Sequence, residues 1–250
     1  MSLKNAFSGL FGPFSGKGLA LVSSILDVFR NIPYENISKI NSEPCSLRMP
    51  DVIMREYEKY GLGGTCFSIT WLLREVLREF GTDADICMAD RTYAEDAHCA
   101  LVFNDGNSKY LLDPGYLIFR PILIPEDGNR IDFTFGDGRF YMERDGSCAS
   151  LYSSVSADFS KFRYRLKLRA VSVSEFFGFW QRSFSFAMMN YVIVNKYIDG
   201  KLFYLKNTCL HEGRDRVVHM TPEETSLWLD SAGISGREFL KAFEKGKKNA

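Results

Sequence analysis

Among six cysteines and three histidines, one of each stands where its neighbours give it a chemical role. Cys66 is followed by Ile69, Leu72, Leu73, Val76, Leu77 and Phe80, whose i, i+3, i+4, i+7 spacing predicts an amphipathic helix with one buried face and Gly81 as its C-terminal cap. The cysteine therefore opens a helix, just after a tight turn marked by Gly63 and Gly64. There the positive end of the backbone dipole favours thiolate over thiol and makes sulfur a nucleophile. A cysteine at a helix start is more often a small packing residue, so Cys66 gains chemical meaning only with partners.

Those partners come from residues 97 to 114, AHCALVFNDGNSKYLLDP. Two apolar runs flank Asp105-Gly106, a dipeptide that favours a two-residue type I′ hairpin turn. A hairpin centred there pairs Asn104 with Asn107 and sets His98 directly opposite Asp113, with Cβ atoms ~5 Å apart. A carboxylate at that distance can hold an imidazole N–H and steady the ring. Acyl transfer at sulfur needs a thiolate, a base that shares its proton and a group that orients the base. Cys66, His98 and Asp113 supply all three in that chain order, for attack on a thioester, amide or ester carbonyl. Backbone N–H groups near Cys66 and Ala97 are candidates to hold the developing oxyanion.

The elements that must bring these residues together fall into three stretches. Up to residue 82 the pattern is mainly helical: Val22, Ile25, Leu26 and Phe29 form a stripe, and residues 50 to 60 form a second helix with Pro50 in its first turn. Residues 7 to 18 are glycine-rich and lack the spacing of a phosphate-binding loop, since Phe11 and Gly18 stand where that loop needs glycine and Ser or Thr. They are expected to be a flexible lead-in. Residues 32 to 37, between the first two helices, read as a helix-stop turn.

From residue 83 to 172 the period changes to two. Short alternating runs at 118–124, 131–135, 139–144, 148–155 and 161–170, with glycine turns between them, predict a small antiparallel barrel or strongly curved sheet. In the last run Phe162, Tyr164, Leu166, Leu168 and Ala170 alternate with Lys161, Arg163, Arg165, Lys167 and Arg169. The five cations read as a solvated exterior. Residues 173 to 250 mix helix and strand, with a hairpin at Asp199-Gly200, a capping box in Thr221-Pro222-Glu223-Glu224, a further helix opening at Ser235 and a basic, frayed tail from Lys245. The fold class expected is α+β.

With 250 residues, 46% hydrophobic and 25% charged, the chain can bury a sizeable core. Its 31 basic and 31 acidic residues cancel, which argues against nucleic acid or an anionic membrane surface as a partner. The cysteines at 45, 66, 87, 99, 148 and 209 make no CxxC pair and no zinc-ligand spacing, so they read as reduced thiols without a metal site. No stretch reaches the roughly 18 apolar residues of a membrane span, and a cytoplasmic location is expected.

The segments IPYEN (32–36), GGTCF (63–67), AHCALVF (97–103) and YLLDPGY (110–116), in this order, resemble the motifs of the arylamine N-acetyltransferase family. The run NYVIVNKYIDGKLFYLKN and the TPEE helix start resemble that family's lid region, so the likeness covers nearly the whole chain. It implies a helical N-terminal domain (1–82) carrying the nucleophile, a β-barrel domain (83–172) carrying His98 and Asp113, and an α/β lid (173–250). The family's catalytic triad falls on Cys66, His98 and Asp113, and its acceptor-pocket aromatics correspond to Tyr34 and Tyr116. The implied chemistry is ping-pong, with acetyl-CoA as donor, no metal, and an arylamine, hydrazine or related small amine as acceptor. Leu62 and Ser68 depart from the arginine and glutamate usual at those places, which removes charge near the nucleophile, and Leu117 replaces a common glycine. The same residues also fit an amide synthase acting on a tethered thioester, a transglutaminase-like or peptidase-like cysteine hydrolase, or a non-catalytic binding protein that keeps the fold.

Overall fold

A computed structural model of the chain describes residues 2–43, 46–136, 138–154, 159–213 and 216–248. Five helices and one short strand precede the main sheet: α1 (Leu3–Phe11), α2 (Gly18–Val28), β1 (Tyr34–Glu35), α3 (Ile37–Asn41), α4 (Pro50–Tyr60) and α5 (Cys66–Glu79). Eight strands follow: β2 (Asp85–Arg91), β3 (Ala94–Asp105), β4 (Ser108–Asp113), β5 (Ile118–Leu123), β6 (Arg130–Phe135), β7 (Gly138–Asp145), β8 (Cys148–Ser154) and β9 (Ser160–Ala170). The chain continues through α6 (Val173–Arg182), strands β10 (Ile193–Ile198), β11 (Lys201–Lys206), β12 (Cys209–Glu212) and β13 (Arg216–His219), and helices α7 (Pro222–Ser231) and α8 (Gly236–Lys248). The fold is α+β.

Helix α5 is the hub of the first core. Phe67, Ile69, Leu72, Leu73, Val76 and Leu77 are buried against Val22, Ile25 and Leu26 of α2 and against Cys99, Leu101 and Phe103 of β3. Each such side chain contributes ~1.5–3 kcal/mol on leaving water. The opposite face of β3, through Ala100 and Val102, lines a second core with Leu111, Met142, Leu151, Tyr164 and Leu166. One strand thus serves two cores, and its period of two divides it between them.

That second core lies inside an eight-stranded antiparallel sheet ordered β5-β4-β3-β2-β9-β8-β7-β6. The sheet curls nearly into a barrel; its two edge strands meet where Arg120 of β5 donates to the Thr134 carbonyl of β6 at 2.6 Å. A smaller sheet, β1-β10-β11-β12-β13, packs with α7 and α8 around Val192, Val194, Leu205, Leu229 and Phe239. Its hairpin turns at Asp199-Gly200 as expected: Ile198 pairs with Lys201, and both loop residues have positive φ, 50° and 77°. Both Ser172 and Thr221 close full capping boxes at the starts of α6 and α7.

Several local expectations are corrected. Residues 7–11 of the expected flexible lead-in belong to helix α1, because Phe7 and Phe11 pack on the first core and Ser2 caps the start. Residues 34–35 form a strand: Tyr34 pairs with Asn195 and Glu35 with Val194, so this turn becomes the edge of a sheet formed 160 residues later. Strands β12 and β13 carried no strong alternation. At the C-terminus α8 runs through Lys248, and Lys245 is tied by its Nζ to the carbonyls of Ile40 and Asn41 rather than frayed. Cys45 and Val155, placed above among reduced thiols and strand residues, lie outside the described residues, as do the last two of the tail. No helix among the described residues is long and apolar enough to cross a membrane.

The β3–β4 hairpin turns one residue later than expected. Asp105 pairs with Ser108 and Leu101 with Leu112, which leaves Gly106-Asn107 as the loop. Gly106, with φ of 58°, occupies the first central position, where a type II′ turn needs glycine. The register therefore moves by two residues. A shift of two keeps every side chain on its face, so Asp113 stays on the face of His98 but lies diagonal to it.

Candidate active site

The diagonal placement still brings the two together: His98 Nε2 and Asp113 Oδ2 are 2.8 Å apart, within hydrogen-bond distance and deeply buried. Asp113 is held from two further directions. Its Oδ1 accepts the Tyr116 backbone N–H at 2.9 Å and its Oδ2 accepts the Tyr164 hydroxyl at 2.7 Å. With three donors converging, the carboxylate has one fixed orientation and the imidazole is fixed through it. Burial opposes charge on His98, yet the charge and hydrogen bond of Asp113, followed by those of Cys66, push the ring up to about 9.

Cys66 begins α5, only 7% exposed. Thr65 offers no side-chain cap, so first-turn N–H groups of α5 remain available beside the sulfur, the arrangement that stabilises an oxyanion. The thiol is held well below its usual range, first by a hydrogen bond with Cys99, against the opposing effect of burial, and then by the hydrogen bond and charge of His98 and the charge of Lys39. Burial and contact with Cys66 drive the Cys99 thiol the other way, well upward. The opposed shifts make the Cys99 thiol the donor and the Cys66 sulfur the acceptor of their hydrogen bond. With Asp113 on Nε2, the other ring nitrogen of His98 is left for sulfur.

Two short loops press the nucleophile into place. The Pro114–Tyr116 turn lies so close that a Cβ on Gly115 would stand 2.8 Å from both Cα and Cβ of Cys66, a distance only glycine permits. Leu117, which closes that turn, is left-handed with φ of 64°; a leucine there costs ~1–2 kcal/mol of strain that a glycine would not.

On the other side, the Gly63-Gly64 turn is clamped by Glu35 and Arg48. Glu35 N donates to the Gly64 carbonyl at 3.0 Å, and Arg48, 5% exposed, donates to the Gly63 carbonyl at 2.9 Å and the Ser38 hydroxyl at 2.7 Å. Its Nε pairs with Glu56 at 2.8 Å. Fully buried Glu35 receives Ser38 N and Oγ at 2.8 and 2.7 Å and has Arg48 at 4.0 Å. Burial pushes its carboxyl up, countered by Arg48 and Ser38. The expectation that Leu62 and Ser68 strip charge from this region is therefore incomplete, because Arg48 brings a guanidinium to the same turn from another element. Asn36 then ties this loop to the smaller sheet, donating to the carbonyls of Met188 and Tyr191 and accepting Ile193 N–H at 2.7 Å.

Tyr34 and Tyr116 also reach the site. Tyr116 meets the His98 ring edge-on at 6.0 Å between centroids. The hydroxyl of Tyr34 is pushed well up, first by burial and then by the charge of Cys66. The residues that sequence reasoning missed are Tyr164, read only as one of an apolar face, and Cys99, Lys39 and Arg48, which carried no spacing signal. Lys39 is buried, with Nζ 2.5 Å from Ser183 Oγ and stacked over Phe184 at 4.4 Å and Phe67 at 6.0 Å. Among the described residues no cluster of His, Cys, Asp and Glu could hold a metal ion.

A family model described as N-acetyltransferase matches residues 19–185. No curated protein matches the chain. Solved structures do: the arylamine N-acetyltransferase of Mycobacterium abscessus has a TM-score of 0.83 at 17% identity, over 97% of this chain and 94% of that one. The arylamine N-acetyltransferase of Mycobacterium smegmatis has 0.81 at 15%, over 99% and 98%. A Bacillus cereus arylamine N-acetyltransferase, described as having a Cys-His-Glu catalytic triad, has 0.73 at 16%, over 94% and 99%. These identities speak to fold alone; it is the family match across more than half of the chain, on a fold of this kind, from which it follows that the chain belongs to the arylamine N-acetyltransferase family.

Proposed function

We propose that this protein transfers an acetyl group from acetyl-CoA to an arylamine or related small amine through a thioester on Cys66, with His98 as acid and base and Asp113 as its orienting partner. The observation that carries this reading is the 2.8 Å contact of His98 with Asp113 at a ring that also lowers the Cys66 thiol. In the first half-reaction the Cys66 thiolate attacks the thioester carbonyl, and the oxyanion is received by N–H groups at the start of α5. The C–S bond to CoA then breaks and the imidazolium proton leaves with the CoA sulfur. In the second half, the amine attacks the acyl-enzyme, His98 takes its proton, and Cys66 departs as thiolate. Asp113 does not itself give up or gain a proton in either half; it orients the ring, which is neutral in the acyl-enzyme, and stabilises the imidazolium before the first half and after the second.

In this reading residues 1–82 deliver the nucleophile, 83–172 the base and its carboxylate, and 173–250 cover the site, with Tyr34 and Tyr116 lining the acceptor side. In this reading Asp113 has the role that the triad described for the Bacillus cereus relative gives to a glutamate. The test is intact-mass spectrometry after incubation with acetyl-CoA, followed by peptide mapping. One acetyl group on the Cys66 peptide, discharged on adding aniline and absent in Cys66→Ala, is the expected result. An unmodified Cys66, or an adduct that persists in Cys66→Ala, overturns it.

A further inference from the structure

Arg91, which stacks on the aromatic rings beside the site, and Arg163, on a neighbouring element of the same sheet, are not used in the acyl-transfer chemistry. Arg91 ends β2, its guanidinium carbon 5.6 Å from the ring centroid of Tyr116 and 5.8 Å from that of Tyr93. Arg163 lies in β9, where its Nε donates to Ser153 Oγ at 2.8 Å. Both stand where the strand ladder breaks. On β2, Ala89 pairs with His98 but Arg91 with Ala94; on β9, Phe162 pairs with Tyr152 but Tyr164 with Leu151, which leaves Arg163 as the extra residue. The extra residue on β9 re-aims Arg163 out of its alternating face, as irregularities beside active sites do, whereas on β2 the extra residues belong to β3 and Arg91 keeps the face of Ala89.

The neighbouring cations have acidic partners. Lys167 is bonded to Asp90 and Asp96 at 2.8 and 2.7 Å, Arg165 lies 4.0 Å from Asp145, and Arg169 lies 3.6 Å from Glu175. Arg91 and Arg163 have no carboxylate partner among the described residues: one contacts rings and the other a hydroxyl. Both are only half-buried. Their charges converge on one point, because Arg163 and then Arg91 are what counter the upward push of burial on the Tyr116 hydroxyl. The ring of Tyr116 in turn touches His98. The five cations of β9, read from the sequence as a uniform solvated face, thus divide: most pair with acids, and Arg163 turns toward the site.

We propose that Arg91 and Arg163 form an anion-holding wall of the candidate site and receive a carboxylate or phosphate carried by one of its substrates. The proposal rests on the acyl-transfer reading for which substrate is meant, but its first test does not. Iodoacetate and iodoacetamide alkylate the same sulfur and differ in one negative charge, so the ratio of their rates at Cys66 reads the local attraction for an anion. In the Arg91→Met/Arg163→Met double variant that ratio should fall roughly tenfold, as loss of a focused positive field requires, and more at low salt than at high. Arg91→Lys/Arg163→Lys, which keeps the charge but not the planar stack, should retain most of it. An unchanged ratio in the Met variant, or an equal fall in the Lys variant, overturns the proposal.

The source of the anion is then read from the separate half-reactions. If the wall holds donor phosphate, the Met variant loses acyl-enzyme formation from acetyl-CoA more than from p-nitrophenyl acetate. If it holds an acceptor carboxylate, the variant loses discharge by 4-aminobenzoate more than by aniline. Equal losses across each pair overturn the assignment to either substrate. A lowered alkylation ratio together with no acyl transfer in the wild-type protein leaves the anion site standing and removes the acyl-transfer reading.

Discussion

Asp113→Asn tests the centre of the mechanism with the least change of shape. The carboxylate lies between three donors: Oδ1 takes the Tyr116 N–H, and Oδ2 takes the Tyr164 hydroxyl and faces His98 Nε2. An asparagine has one acceptor oxygen. If that oxygen serves Tyr116, the NH2 faces the ring and forces His98 to present a bare Nε2, with its proton on the nitrogen nearest sulfur. If the amide is reversed, two N–H groups face each other at Tyr116, which costs the desolvation of a buried donor. In both arrangements the charge that favours imidazolium is gone. Lifting the ring from 6.5 to about 9 corresponds to ~3 kcal/mol in favour of the charged form, at about 1.4 kcal/mol for each factor of ten. Without Asp113, only the contact with Cys66 still opposes burial, and the ring loses the larger part of what favours its charge.

The sulfur loses its cation with it, and the iodoacetamide rate at Cys66 near pH 6, read by peptide mapping, should fall ~10²-fold, the acid limb moving up by about two pH units. Stability should follow. Because the folded-state value of His98 is raised, its contribution is fully present below pH 6.5 and is lost as pH rises through about 9. Wild type should therefore exceed Asp113→Asn in melting temperature most at pH 6, with the gap narrowing toward pH 9. A wild-type alkylation profile in Asp113→Asn would refute the claim that this carboxylate sets the charge of the pair.

Other expectations concern the loops that hold the pair. Arg48→Met leaves the fully buried Glu35 without its cation and should cost about 3 kcal/mol, or ~10 °C in melting temperature; Arg48→Lys should recover part of it, and an unchanged Tm would show that the guanidinium does not hold the Gly63 turn. Gly115→Ala adds a methyl 2.8 Å from the Cys66 backbone and should slow acyl-enzyme formation ~10²-fold through displacement of the sulfur, with circular dichroism confirming a retained fold; wild-type acylation would contradict the close approach. Lys39→Met removes a positive charge that favours the thiolate, so the acid limb of alkylation should move to higher pH by less than in Asp113→Asn. An unmoved limb there would assign Lys39 to packing alone.

Local chemistry alone was enough to find the elements that carry the reaction. The apolar stripe from Ile69 to Phe80 places Cys66 on a helix start, the capping box at Thr221 marks α7, and Asp199-Gly200 makes a tight hairpin turn. These are signals within a few residues, where backbone sterics and side-chain period decide the outcome. The β3–β4 register was not legible in the same way. A slip of two residues preserves the period of every face, so alternation cannot distinguish the two hairpins. The three donors that meet at Asp113, two of them from Tyr116 and Tyr164, exist only once the sheet has curled.

The same holds for Tyr34–Glu35, a turn by its own residues and a strand only because β10 arrives beside it. It holds too for Arg48, which reaches Gly63 from just before α4, and for Cys99, whose alternation along β3 aims it at α5 while His98 faces the barrel. Residue types and short-range spacing determined which groups could do the chemistry. Only long-range packing decided which of them are charged, because charge in a buried site depends on how many partners converge there, and no window of sequence contains that number.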